Sequence, residues 1–346
     1  MVRHDNLFPQ IIELENFYAA FTDCSHKKKY NSKLMRLSSR IECIITDIIR
    51  GFCDGTWQPG KYYEFECRTE VKRRAISAPG FRDGIAHHAV DRIVRPLFEK
   101  KYIYDLYSNR KGKGQHRAAR RVQSFVRRAA NKGTVYVLQC DIHNYYGSID
   151  HEILKEQMKE TIKDEKVLDI IYKIIDSFND DTGKGVPIGA LPSQTFANVN
   201  MMQFDHYMKE SLHIKNYVRF MDDFIIVGNS KAELHRILGE VKWYIETQLK
   251  LTLNPKTKIF PGSRGVDFAG YRLFIDHMLP RKRNVKGAKI RFKELSFLYR
   301  HGKIDIEDVT PRVQSFLGYM EHCKAKETTK STLRYLVLRR RNEEKE

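Results

Sequence analysis

Three aspartates stand where acidic side chains are costly unless they serve a purpose. Asp141 ends the apolar stretch TVYVLQCDI, and Asp222 and Asp223 sit side by side within YVRFMDDFIIVG. Burying unpaired carboxylates between apolar strands is unfavourable. A tight turn at the pair would let it meet the end of the Asp141 strand across one sheet. Acids gathered in this way raise one another's pKa, and a divalent cation relieves the repulsion. Hard carboxylate oxygens suit Mg²⁺, which keeps part of its water shell and takes other ligands from substrate phosphates. Asp141 and Asp222 are the expected ligands, with the backbone carbonyl of Ile142 as a further one. Neighbouring strand residues point to opposite faces, so Asp223 is expected to complete the acidic set and support the site. An isolated acid pair is more often plain surface charge, so the surrounding sequence has to carry the distinction.

The elements that must position these acids alternate between strand and helix. Residues 1 to 60 carry helical periodicity, as in Ile41, Ile44, Ile45 and Ile48. Residues 62–68 and 73–78 read as short strands. Ile85, Ala89, Ile93 and Leu97 mark a helix face expected to stop near Pro96. Val135–Ile142 reads as a buried strand, followed by helices near 152–163 and 166–178 and another from Gln194 to Leu212. After the strand–turn–strand around Asp222, Leu234, Leu238, Val241, Ile245 and Leu249 mark a long amphipathic helix. Short strands are expected at 251–253, 258–260 and 268–275. The tail from Lys286 is helical, with Thr310 and Pro311 as a cap signal. This order implies an α+β fold with an antiparallel sheet.

Lys and Arg number 62 against 43 Asp and Glu, a net charge of +19. Such an excess repels itself unless a polyanion lies against it, and nucleic acid is the first candidate. Within SNRKGKGQHRAARRVQSFVRRAANK, Arg117, Arg120, Arg121 and Arg128 share one helical face. A solvated basic face is the plain reading. The Gly-Lys-Gly just before it allows close backbone approach to phosphates, which favours a nucleic-acid track that includes Arg110, Lys111 and Lys113. The six cysteines are scattered without a CxxC pair, so buried thiols in a reducing cytosol are expected rather than a zinc site or disulfides. No apolar run reaches the roughly 18 residues of a membrane span, which points to a cytoplasmic protein with no membrane partner.

CDIHNYYGSID, IGALPSQTFANV, YVRFMDD, LTLNPKTKI and FAGYRLF follow one another in the order of the reverse transcriptase motifs. With RRAISAPGFRDGIAHHAV and SNRKGKG upstream they cover residues 60 to 280. On these motifs the chain resembles reverse transcriptases. The resemblance implies a right-hand polymerase: N-terminal region and fingers over 1–134, palm over 135–280 with a fingers insertion near 152–185, and a helical thumb over 281–346. It implies RNA-directed DNA synthesis on a template RNA and RNA/DNA primer–template, from deoxynucleoside triphosphates. Two Mg²⁺ ions, with Mn²⁺ able to substitute, would activate the primer 3′-oxygen and stabilise the leaving pyrophosphate. Asp141, Asp222 and Asp223 fall on the catalytic carboxylates. Tyr146 falls on the bulky residue beneath the sugar of the incoming nucleotide, where its ring would clash with a 2′-hydroxyl. Lys72 and Arg74 fall on the triphosphate-gripping positions of the fingers. Ile188 and Gln194 flank the nascent base pair, Lys256 lies in the segment proposed to protonate pyrophosphate, and Gly270 and Tyr271 sit in the turn that supports the primer end.

Ile188-Gly189-Ala190-Leu191-Pro192-Ser193-Gln194 replaces the commoner Gln-Gly-x-x-x-Ser-Pro, and resembles the enzymes of diversity-generating retroelements. These copy a template-repeat RNA with frequent errors at adenines, alongside a small basic accessory protein, in mutagenic retrohoming. The host implied is bacterial, archaeal or a phage. Phe220 and Asn200 depart mildly from the family pattern. Rival readings are a retron-type or defence-associated reverse transcriptase, an RNA-dependent RNA polymerase, which Tyr146 argues against, and a catalytically silent RNA-binding scaffold.

Overall fold

The computed structural model describes residues 3–25, 38–67, 74–178 and 181–339. Its first layer is helical: α1 (Phe8–Ile12), α2 (Leu14–Ser25) and α3 (Ile41–Cys53). An antiparallel hairpin follows, β1 (Tyr63–Cys67) on β2 (Arg74–Ala78). Then come two longer helices, α4 (Phe81–Glu99) and α5 (Gln115–Ala130). Phe17, Ile45, Ile48, Ile85, Ala89 and Phe98 are all but fully buried, and they tie this layer to the centre of the molecule.

The central sheet has strand order β4-β5-β3-β6, antiparallel throughout. Its strands are β3 (Tyr136–Asp141), β4 (Tyr217–Phe220), β5 (Asp223–Gly228) and β6 (Lys258–Pro261). Alternation along β3 and β5 gives the sheet two apolar faces. Leu138, Cys140, Phe224 and Ile226 join the larger core, which holds most of the helices. Val137, Ile225 and Val227 join a smaller one with α5 and a second sheet. Between β3 and β4 run α6 (Tyr145–Ser148), α7 (His151–Lys159), α8 (Glu165–Asp176), α9 (Pro192–Asn200) and α10 (Met202–His206). Beyond β5 comes α11 (Lys231–Trp243). The second sheet is β7 (Val266–Phe268), β8 (Tyr271–Leu273) and β9 (Met278–Pro280). The described tail folds as α12 (Lys282–Arg300), α13 (Ile306–Glu321) and α14 (Lys326–Leu333).

The expected α+β class with an antiparallel sheet is what the structure has, but several boundaries differ. α4 runs through Pro96 instead of stopping there. Pro96 and Arg92 lie on the exposed side, where a carbonyl that loses its helical partner can meet water, while Val94 and Phe98 keep the last turns anchored in the core. The helix expected from Gln194 to Leu212 begins at Pro192, breaks at Met201 and ends in a π-helical turn, Tyr207–Ser211. Residues 251–253 form only an isolated bridge, Ile142 to Leu253. The expected cap at Thr310 and Pro311 is displaced: α13 is capped by Asp305 and Asp308 in a reciprocal capping box, and Thr310 and Pro311 lie inside the helix. Among the described residues no disulfide links Cys24, Cys43, Cys53, Cys140 or Cys323, and against the expectation of buried thiols Cys43 and Cys53 are exposed. Among the described residues, no helix is long and apolar enough to cross a membrane.

Candidate active site

Asp141 is the last residue of β3, and Asp223, the first of β5, is its partner directly across the ladder. Asp222 stands one residue earlier, in the two-residue turn joining β4 to β5. Only the first residue of that turn, Met221, has positive φ, at 61°, the pattern of a type II′ hairpin turn. Glycine usually fills that place, so a methionine there needs outside support. Its N–H donates to Ser108 Oγ at 2.9 Å and its carbonyl accepts from Arg219 Nη1 at 3.0 Å. The carbonyl of Asp222 accepts from Ile142 N at 3.2 Å. These bonds brace the turn from Ser108 and from β4 and tie Asp222 to the residue after β3, and with the register of β3 on β5 they bring Asp141, Ile142, Asp222 and Asp223 together.

Burial, and then the charges of Asp141 and Asp222, push the Asp223 carboxyl well above the usual range. Its Oδ1 is buried without a hydrogen-bond partner among the described residues. Asn254 donates from Nδ2 to Asp141 Oδ2 at 2.8 Å and from its backbone N–H to the Asp141 carbonyl at 2.7 Å. Among the described residues, no three His, Cys, Asp or Glu side chains form a ready-made metal cage. Mutually repelling carboxylates, one with an orphaned oxygen, suit a hard cation that completes its shell with phosphate and water.

Beside the turn lies a cavity of about 730 Å³ whose lining includes Tyr146, Ile188 and Gln194. The Tyr146 hydroxyl points at Met221 Sδ, 3.9 Å away. The loop carrying Ile188 docks on β2, with the Ile188 carbonyl accepting from Ser77 N at 2.7 Å. Gly189 has a φ of 129°, and a Cβ there would come within 2.7 Å of Ile76, so the Ile-Gly pair is fixed by this docking. Arg74 has its backbone at the start of β2, and Lys72 lies outside the described residues. Lys256 is exposed, and its N–H donates to Asn254 Oδ1 at 3.0 Å.

A family model described as reverse transcriptase (RNA-dependent DNA polymerase) matches residues 69–273. The chain belongs to the reverse transcriptase family. It is 26% identical over 245 residues to protein YkfC of Escherichia coli K12, covering 60% of this chain and 64% of that one. It is 23% identical over 316 residues to the group II intron-encoded protein LtrA of Lactococcus lactis, covering 71% of this chain and 52% of that one. The chain thus spans between half and two thirds of these relatives. In three dimensions it is similar to telomerase from Candida albicans, solved with a fragment of telomeric RNA. The TM-score is 0.52 at 12% identity, covering 82% of this chain and 56% of that one. That likeness places the fold among right-hand polymerases.

In this member of the family, the basic stretch divides between surface and scaffold. Lys111, Arg117 and Arg120 are exposed. Arg110 departs from the expected track: it is spent on Glu99 (2.8 Å) and on the carbonyls of Ile103 and Glu99. Arg121 holds the buried Asp105 at 2.7 Å. Lys113 donates to the Tyr104 carbonyl at 2.8 Å and lies 3.6 Å from the centre of that ring. These three arginine and lysine side chains satisfy carboxylates and carbonyls of their own loop, which a charge count cannot distinguish from a free basic face. Gly270 and Ala269 form the β7–β8 turn, both at positive φ. Tyr271 is a correction, since it is fully buried and shares its hydroxyl with His116 Nδ1 at 2.5 Å. Sequence reasoning missed Ser108, Arg219, Asp205 and Asn254. Arg219 is fully buried and grips Asp205 through Nε (2.8 Å) and Nη2 (2.6 Å). Its one sequence signal is a charged residue inside the apolar strand YVRF.

Proposed function

We propose that this protein is an RNA-directed DNA polymerase that copies a template RNA into complementary DNA by nucleotidyl transfer. The observation that carries the reading is the register of Asp141 against Asp223, with Asp222 tied to the end of β3 through Ile142. In this reading Asp141 and Asp222 hold two divalent cations, Mg²⁺ or Mn²⁺, with the Ile142 carbonyl as a further ligand and Asp223 behind them. When bound, these ions supply charge stabilisation at the attacking and leaving oxygens. Asn254 fixes the orientation of Asp141, and the Tyr146 ring excludes ribonucleotides from a pocket for deoxynucleoside triphosphates. Arg74 and Lys72 grip the triphosphate, Gln194 contacts the nascent pair, and Lys256 donates a proton to pyrophosphate. Residues 1–134 act as N-terminal region and fingers, 135–280 as palm and 281–346 as thumb. Lys111, Arg117 and Arg120 line the nucleic-acid track, and Gly270 supports the primer end.

The finer reading is a cytoplasmic, diversity-generating retroelement enzyme working with a small basic accessory protein. It rests on Ile188, which lines the cavity beside Tyr146 and cannot hydrogen-bond to a correctly placed pair as a glutamine would. Purified protein incubated with a primed RNA, Mg²⁺ and deoxynucleotides should give cDNA with errors concentrated at template adenines. Asp222→Ala should abolish synthesis and leave RNA binding intact. Binding without synthesis in the unaltered protein would favour a scaffold. Flanking DNA without an imperfect repeat pair would favour a retron-type or defence-associated enzyme.

A further inference from the structure

We propose that Tyr319, on the last turn of α13, is a positioning residue for the primer end: its hydroxyl ties the β7–β8 turn to the entry of α12 and so sets where the primer 3′-oxygen stands. The inference rests on the reading above in which Gly270 supports the primer end, and it concerns a residue to which that reading gives no role.

The turn needs an outside hold. Phe268 faces Tyr271 across the ladder, so Ala269 and Gly270 form a two-residue loop. Their φ values are 46° and 88°, the pattern of a type I′ hairpin turn. Glycine takes that conformation freely, whereas alanine adopts it against its own sterics. The flanking strands are three residues each, too short a ladder to impose the shape of the turn unaided.

The hold converges on one hydroxyl. Tyr319 Oη donates to the Gly270 carbonyl at 2.6 Å. It accepts from the Arg281 N–H at 3.0 Å and from Asn284 Nδ2 at 3.3 Å. A phenol has one donor place and two acceptor places. All three are used: one on the turn, one on the residue that caps α12, and one on that helix's first turn. The Arg281 N–H and Asn284 Nδ2 also approach the Gly270 carbonyl, at the longer distances of 3.3 and 3.4 Å. Burial pushes the phenol's pKa up, so it keeps the proton it donates. The Tyr319 ring lies against Tyr271 with centroids 4.9 Å apart, and the Tyr271 hydroxyl reaches the Tyr319 carbonyl at 3.4 Å. The ring thus seats the end of α13 on the second sheet, and the hydroxyl carries that seat to the turn. A shift of α13 therefore moves the Gly270 carbonyl with it, and the primer end follows the thumb.

Tyr319→Phe keeps the ring and deletes the three hydroxyl bonds. In single-turnover extension of a primed RNA by the full chain, the rate of the bound complex should fall about tenfold, the scale of a small displacement of a reacting group. Affinity for the primed RNA and the half-saturating deoxynucleotide concentration should stay within about twofold, since neither depends on where the 3′-oxygen stands. A residue that only seats the thumb would do the reverse, weakening RNA binding and leaving the bound rate as it was. A second measurement needs no catalysis. In the complex without deoxynucleotide, 2-aminopurine at the primer 3′ terminus should brighten in Tyr319→Phe, while the same probe in the duplex interior should not change. Asn284→Ala leaves the bond from Tyr319 to Gly270 in place and should slow extension by less than about threefold. An unchanged bound rate and an unchanged terminal probe in Tyr319→Phe would overturn the proposal. So would a loss in Asn284→Ala as large as in Tyr319→Phe, which would make the hydroxyl one contact among many in the seam. Should the protein extend primers and Tyr319→Phe match it, only this inference fails; should it extend no primer, the reading beneath fails and takes this one with it.

Discussion

Replacing Arg219 by methionine tests whether the turn that carries Asp222 is held from beneath. The guanidinium is fully buried and Asp205 is 1% exposed at its side chain, with contacts of 2.8 and 2.6 Å between them and a third bond of 3.0 Å to the Met221 carbonyl. Removing one member of a buried pair leaves an uncompensated charge, which costs about 3–5 kcal/mol. At about 2 °C per kcal/mol for a large domain, thermal unfolding should fall by roughly 6–10 °C. Asp205→Asn added to Arg219→Met removes the orphaned charge and still accepts the Tyr217 hydroxyl, now 2.6 Å from Asp205. The double variant should therefore recover at least half of the lost stability. Primer extension should stay reduced by at least about tenfold, because nothing restores the bond to Met221 and small displacements of reacting groups are expensive. Melting curves and single-turnover extension on the unaltered protein and the two variants decide it. Full recovery of extension in the double variant would show that Arg219 only balances a charge. A loss of less than 1 kcal/mol in the single variant, roughly the size of one exposed ion pair, would refute the energetic reasoning.

Tyr146→Ala should raise the use of ribonucleotides relative to deoxynucleotides by at least about tenfold, since the ring that would meet the 2′-hydroxyl is gone; an unchanged ratio in competitive extension would remove the gate from Tyr146. Ile188→Gln should lower misincorporation opposite template adenine by up to about tenfold, the scale of one hydrogen bond, and equal adenine error rates by product sequencing would discard that role. His87 gives a pH signature with a definite sign. Its folded pKa is depressed from 6.5 to about 3, so the unfolded chain binds the proton first and stability falls as pH drops through that window. Between pH 6.5 and 5 the loss is about 1.6 kcal/mol, and chemical denaturation should show His87→Gln losing that much less than the unaltered protein over the same range. Parallel curves would mean that His87 is not held neutral.

The reverse transcriptase signature was legible because its chemistry is written locally. Asp141 ends an apolar strand and Asp222-Asp223 interrupt one, so residue type and neighbours alone suggest acids at a sheet edge. Tyr146 and Ile188 were readable for a similar reason, each lying in a short motif, and the structure places them on one cavity wall system. What the sequence concealed is what holds those motifs in place. Ser108 and Asn254 meet the turn and the β3 end only after the chain has closed over long separations, Asp205 reaches the turn only through Arg219, and nothing near Ser108 in sequence marks it as the acceptor for Met221 N–H. The internal partners of the basic residues were hidden for the same reason. Arg110, Arg121 and Lys113 belong to a periodic, positively charged stretch, yet the loop they stabilise contains its own carboxylates and carbonyls, and a charge that is close to such groups is consumed by them before any polyanion arrives. Tyr271 was drawn into the primer-end turn by its neighbour Gly270, but strand alternation carries its ring inward beneath the turn. A catalytic motif therefore specifies which atoms react, while the rigidity that makes them react is distributed over residues whose roles exist only in three dimensions; a buried cation such as Arg219 is the one kind of supporting residue that sequence can flag, because an apolar strand has no other reason to contain it.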